Sequence, residues 1–177
     1  KYKKYDLDVL WSKFKKVELW PSVDGYGKKA EYVRSGLVWD KFENNYKQFS
    51  KYIDTIGAVI NIYSITSMPN LILWCKSRNL YFNGTVQIAP EAQSITCLPE
   101  DIKGKLTDLY TGFIDKYKNI LDSSEIYNIN SWIAYMNSKD DTHLLTDFKQ
   151  FNDKLDSSRN ESFISTYPEY ASWYNNI

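Results

Sequence analysis

Val17-Glu18-Leu19-Trp20-Pro21-Ser22-Val23-Asp24-Gly25, and then Tyr32-Val33-Arg34-Ser35-Gly36-Leu37-Val38-Trp39, decide how this chain is read. The first run reads as a short strand. Pro21 sits near its end, where a lost N–H is tolerated. Gly25, Gly27 and Gly36 make residues 24–36 mostly loop. Ser22, Asp24 and Arg34 therefore fall where a parallel strand has ended and its crossover helix has not begun. Open α/β sheets and barrels bind ligands at that edge.

Working outward, residues 6–16 predict an amphipathic helix, with Leu7, Leu10, Trp11 and Phe14 at helical spacing. Trp39, Phe42, Tyr46, Phe49, Ile53 and Ile56 recur at three- and four-residue steps and predict a helix over 38–56, stopped by Gly57. Residues 58–65 are nearly continuous apolar and β-branched, the pattern of a strand buried on both faces. A helix follows over 67–79, then a third strand over 80–88, which Asn83-Gly84 would bulge or turn. Residues 93–98 predict a short fourth strand.

After Pro99 the period is helical throughout: 100–119, 124–137 and 142–155, with Tyr127, Trp132, Tyr135, Phe148 and Phe151 facing a core. Alternating helix and strand periods imply right-handed parallel crossovers. The expected fold is thus α/β: a partial (β/α) barrel fragment of about three parallel strands with crossover helices on one side, over 1–98, followed by a mostly helical region over 99–177. Such a fragment leaves strand edges unpaired and one sheet face uncovered.

The 177 residues fit one domain, and the 16% aromatic content argues against disorder. Lys+Arg and Asp+Glu both number 22, so charge gives no support for a nucleic-acid partner. No apolar run approaches the ~20 residues of a membrane span. Cys75 and Cys97 form no paired motif, which fits a reducing cytoplasm better than a disulfide framework.

His143 is the only histidine, so neither a His-based metal site nor a Cys–His dyad is expected. No phosphate-binding loop, dinucleotide fingerprint or serine-hydrolase elbow occurs. Asn83-Gly84-Thr85 and Asn160-Glu161-Ser162 match the glycosylation pattern by chance. Ser22 and Asp24 fit either a self-satisfied capping loop or a ligand contact. Arg34 fits either a surface ion pair or a bidentate anion contact. Asn61, inside a very apolar run, either caps a neighbouring loop or presents its amide to a ligand. Ser22 and Asn61 are expected to face one concavity, with Arg34 in reach.

These motifs, taken in order, resemble the second half of a radical S-adenosylmethionine domain. Ser22-Val23-Asp24-Gly25 resembles the end of that family's fourth strand. Tyr32-Val33-Arg34 with Gly36 and Trp39 resembles the segment after it, and Val59-Ile60-Asn61-Ile62 the fifth strand. Gln87-Ile88-Ala89-Pro90 lies where the sixth strand ends. Ile95-Thr96-Cys97-Leu98-Pro99, Leu155-Asp156, Arg159-Asn160-Glu161-Ser162-Phe163 and Tyr167-Pro168-Glu169 resemble members with a shortened, twitch-type C-terminal region.

The resemblance implies that Ser22 and Arg34 contact the methionyl carboxylate of S-adenosylmethionine and Asn61 its ribose. Backbone near Ile88 would border the adenine, and Asp24 would organise the loop. It implies homolytic cleavage to a 5′-deoxyadenosyl radical and hydrogen abstraction from a small-molecule or peptide substrate. The family's 4Fe-4S cluster needs three cysteines spaced by three and then two residues, a motif this chain lacks. Lys1 would then fall between the third and fourth strands, with the cluster ligands in a missing N-terminal half of the same domain. On that expectation these residues carry cofactor contacts, hold no metal, supply no catalytic residue and are inactive alone. A different class remains open: a non-catalytic α/β interaction module using its aromatic-rich helical region.

Overall fold

Two parallel strands carry the architecture: β1 (Thr55–Ile60) and β2 (Tyr81–Val86), in register from Thr55 opposite Tyr81 to Ile60 opposite Val86. The computed structural model describes residues 6–177. The first five residues of the expected 1–98 segment, with the expectation placed on Lys1, lie outside the described residues. Helices α1 (Leu7–Trp11), α2 (Lys28–Val33) and α3 (Trp39–Phe49) precede β1, and α4 (Met68–Lys76) connects it to β2. The remainder is helical: α5 (Glu100–Tyr117), α6 (Ser123–Met136), α7 (Leu145–Arg159), α8 (Phe163–Thr166) and α9 (Ala171–Tyr174). No helix among the described residues is long and apolar enough to cross a membrane.

The pleat sorts side chains by parity. Ile56, Ala58, Ile60 and Phe82 are buried against helices, while Val59, Tyr81, Asn83 and Thr85 are exposed on the other face. One core cluster takes residues from Val23 through Tyr174, spanning both expected segments. At one end of it Trp74 of α4 is ringed by Trp39, Phe42 and Tyr46 at centroid distances of 5.9, 5.6 and 5.1 Å. The Trp74 indole N–H donates to Glu43 at 2.7 Å, which spares it an unpaired buried donor.

The expected partial barrel of three strands is not formed as such. Residues 17–23 run parallel to β1 in the expected chain order, but through isolated bridges only, Leu19 to Ile53 and Ser22 to Gly57. Pro21 has no N–H to give. The bridges also set three steps of one segment against four of the other, so the register slips by one. The fourth strand expected over 93–98 is not formed; two short 3-10 turns, Glu91–Gln93 and Ile95–Cys97, occupy residues 91–97. There the Ser94 hydroxyl accepts the Thr96 N–H at 3.4 Å, and Thr96 donates its own hydroxyl to Asp141 at 2.6 Å. Such local bonds offer the backbone an alternative to a ladder.

Other boundaries moved for equally local reasons. The α3 helix stops at Phe49 and gives way to a 3-10 turn, Ser50–Tyr52; Gly57 sits inside β1 and stops nothing. Ile56, Ala58 and Ile60 satisfy a period of two as well as they fit the helix stripe, and pairing with β2 decides. Strand β1 ends at Ile60 because the Asn61 side-chain oxygen takes the Tyr63 and Ser64 N–H groups at 3.0 and 3.1 Å. Helix α1 covers only Leu7–Trp11 of the expected 6–16. Tyr127 and Phe151 are exposed, unlike Trp132 and Phe148, which face the core as expected.

Gly84 neither bulges nor turns β2. It pairs regularly with Ala58, and its missing side chain makes room for α6: a Cβ there would lie 2.5 Å from Trp132 Cζ2 and 3.1 Å from Ile60 Cδ1. Substituting Gly84→Ala should therefore overpack the sheet–helix contact and lower stability by about 1–3 kcal/mol. A lower urea midpoint at unchanged slope is the expected readout; an unchanged midpoint would contradict this packing.

The turn after β1 is held by tyrosines from distant elements. Tyr110 of α5 donates to the Ile65 carbonyl at 2.5 Å, and Tyr170 donates to the Ile62 carbonyl at 2.9 Å. Burial pushes both hydroxyls, and those of Tyr63 and Tyr167, above the ordinary 10.0. In the unfolded chain they ionise from about pH 10. Their contribution to stability is full below that pH and is lost as pH rises above it, by up to about 1.4 kcal/mol per pH unit for each hydroxyl. The urea midpoint should thus drop steeply between pH 9 and pH 11, with phenolate absorbance appearing only together with unfolding.

Candidate functional site

Gly25 begins the site by letting the chain turn. Its φ of +152° is one that side chains rarely adopt, and a Cβ there would lie 2.9 Å from the Ala30 N–H nitrogen at the start of α2. The turn lays Asp24 beside β1 and brings α2 back so that Arg34, at its C-terminal end, reaches it. Asp24 is 7% exposed. Its Oδ1 accepts the Val59 N–H at 2.7 Å, and its Oδ2 accepts Nε and Nη2 of Arg34 at 2.9 and 2.8 Å. A carboxylate thus fixes both a strand edge and a guanidinium through charge-assisted bonds.

These residues line a recess of about 240 Å³ on the exposed sheet face, with Ser22, Gly57, Asn83 and Thr85. Trp20, 65% exposed, stands at its rim. The Ser22 and Thr85 hydroxyls, the Asn83 amide and the remaining Arg34 donors make no hydrogen bond among the described residues. Parallel sheets are ordinarily covered on both faces. This one leaves bare a face of hydroxyls, an amide and an ion pair, which suits a zwitterion better than an apolar body.

Of the expected site residues, Ser22, Asp24 and Arg34 share this recess. Asn61 does not; the expected common concavity is two separate ones. It is buried, and it lines a second recess of about 190 Å³ with Tyr32, Val33, Gln93, Phe151 and Arg159. Its Oδ1 caps the turn, as one of the two sequence alternatives has it, and its Nδ2 donates to Gln87 at 2.8 Å. Ile88 projects into solvent at 69% exposure, two residues beyond β2, and lines neither recess.

No sequence pattern above points to Asn83, Thr85, Gln87 or Gln93 as a site residue. For Asn83 and Thr85 a signal is present even so: polar residues at every second position of a strand otherwise occupied by Phe82 and Val86. Gln87 and Gln93 carry no pattern of their own and gain their role from the amide of Asn61.

The two cysteines do not fit an iron–sulfur cluster. Burial pushes the Cys75 thiol up to about 12 and that of Cys97 up to about 11, and Cys97 donates to the Glu91 carbonyl at 3.1 Å. Thiolate is the ligating form, and both sites disfavour it. Among the described residues no group of His, Cys, Asp and Glu side chains is arranged to hold a metal ion. His143 is exposed in the 3-10 turn before α7.

No family model, no curated protein and no solved structure matches this chain.

Removing Asp24 orphans both the Val59 N–H and the Arg34 guanidinium. Asp24→Ala should cost about 1–3 kcal/mol, whereas Asp24→Asn, which keeps an acceptor for Val59, should cost less. Thermal melts of the two variants check this ordering.

Proposed function

We propose that this chain supplies the cofactor-recognition face of a radical S-adenosylmethionine enzyme, with cluster ligands contributed from outside these residues. The observation that carries the proposal is the Asp24–Arg34 pair beside unengaged hydroxyls on a bare parallel-sheet face. A methionyl group presents a carboxylate, an ammonium and a sulfonium within a few bonds. Arg34 offers spare donors to the carboxylate, Ser22 a hydroxyl, and Asp24 a compensating negative charge. The parallel order of 17–23, β1 and β2, and helices on one face only, accord with the motif resemblance.

Within that proposal Asp24 aims Arg34, Gly25 sets the turn, and Arg34 and Ser22 bind and orient. When bound next to a reduced cluster, the cofactor supplies a 5′-deoxyadenosyl radical. Asn61 lines the other recess, so the ribose contact that the resemblance implies for it is no part of this proposal. The interaction-module alternative has less behind it, since Trp132, Phe148, Phe163, Tyr167, Tyr170 and Trp173 are spent on the core, although Tyr127 and Phe151 stay exposed.

Titrating the chain with S-adenosylmethionine by calorimetry tests the proposal. Weak saturable binding is expected, since these residues supply only part of the contacts. Arg34→Ala should weaken it by tenfold or more, because a charge-assisted contact is worth roughly 1.5–3 kcal/mol. Binding that is absent, or indifferent to Arg34, would refute it.

A further inference from the structure

Between the turn after β1 and the end of α7 lies the second recess, where Asn61, Gln93 and Arg159 present donors and the Tyr32 and Tyr63 hydroxyls present only their oxygens. The polarity is fixed from the backbone outward. The Asn61 Oδ1 accepts two backbone N–H groups, so its Nδ2 must be the donor to Gln87 Oε1, at 2.8 Å. That leaves Gln87 Nε2 to donate to Gln93 Oε1 at 3.0 Å. The NH2 of Gln93 is therefore the free end of the relay, with no hydrogen bond among the described residues.

Arg159 is similarly underused. Its Nη1 donates to the Tyr32 carbonyl at 3.2 Å, and the nearest carboxylate oxygen, Glu161 Oε2, is 3.8 Å away and makes no hydrogen bond. Asp156 is fully engaged elsewhere, by the Tyr32 hydroxyl and the Phe163 N–H. The hydroxyls of Tyr32 and Tyr63 point their protons at Asp156 and Asn152. Val33, Phe151 and Leu155 supply apolar wall.

We infer that this recess binds a carboxylate carried on a compact apolar body, with Arg159 and the Gln93 amide as its donors. The volume suits that class: a 150 Å³ cavity takes benzene, and about 190 Å³ is available here. The site is separate from the Arg34 recess and does not depend on the function proposed for it. A free organic acid and a peptide C-terminus share the chemistry.

The test is titration of the ¹⁵N-labelled chain with benzoate, with benzamide as the neutral control, following the Gln93 side-chain amide and the Arg159 Nε–H by NMR. Saturable millimolar benzoate binding that shifts both signals is expected, with benzamide at least tenfold weaker. Gln93→Glu keeps the acceptor for Gln87 and replaces the free NH2 by a carboxylate oxygen, so it should cut benzoate affinity at least tenfold without unfolding the chain. Arg159→Gln should do the same, and Arg34→Gln should leave it within twofold. Gly-Gly-Phe with a free or an amidated terminus separates the sources; whichever of the free peptide and benzoate binds more tightly, loss on amidation supports the site. Benzamide binding equal to benzoate, indifference to Gln93→Glu, or loss of binding in Arg34→Gln would overturn the assignment.

Discussion

Buried carbonyls in the turn after β1 must find donors, and the rest of the molecule is arranged around that need. Residues 61–67 leave the sheet and enter the core, where an unpaired carbonyl is costly. Tyr110 reaches in from α5 and Tyr170 from the C-terminal segment, while Ser64 donates back to the Val59 carbonyl at 2.6 Å. Each hydroxyl is itself buried, so each bond requires its helix to sit where it does. A two-stranded sheet is a poor nucleus on its own. Anchoring the turn between them ties it to α5, 45 residues on from Ile65, and to the C-terminal segment, 108 residues on from Ile62.

That organisation gathers the helices on one side of the sheet and leaves the other side polar. The division follows from residue parity. Even-numbered positions of β1 are Ile, Ala and Ile; odd-numbered positions are Thr, Gly and Val. Small and hydroxylic residues on the bare face keep it compatible with water and leave space above it, while the Asp24–Arg34 pair closes one end. The same pair stitches the loop after residues 17–23 to β1, so the recess and the loop are maintained by one set of bonds.

Much of this was legible in the sequence. The Trp39, Phe42, Tyr46 stripe, the helix after Ser67, the helical region beyond Pro99 and the parallel chain order all follow from apolar periodicity, which reports directly on burial. What periodicity cannot carry is a contest between side chain and backbone. Pro21 removes one donor and a strand becomes a pair of bridges. Asn61 and Ser94 offer side-chain bonds, and a strand end and a turn appear where continuous apolar runs suggested ladders. Ser22, Asp24 and Arg34 share a recess as expected, although 24–36 is not mostly loop: helix α2 stands between Asp24 and Arg34 and carries Arg34 back. Asn61 and Arg159 share a recess for a reason no short window contains: α7 packs its last turn against α2.

The relay from Asn61 through Gln87 to Gln93 is a wire with a direction. Two backbone amides write the orientation at one end, and it is read out as a donor at the other. An aspartate at position 61 would accept the same amides and could no longer donate to Gln87. Both glutamines would then turn over and present an oxygen where a nitrogen now stands. The turn that terminates a strand thereby also sets which end of the Gln93 amide is left free at the recess, and one atom's difference reverses it.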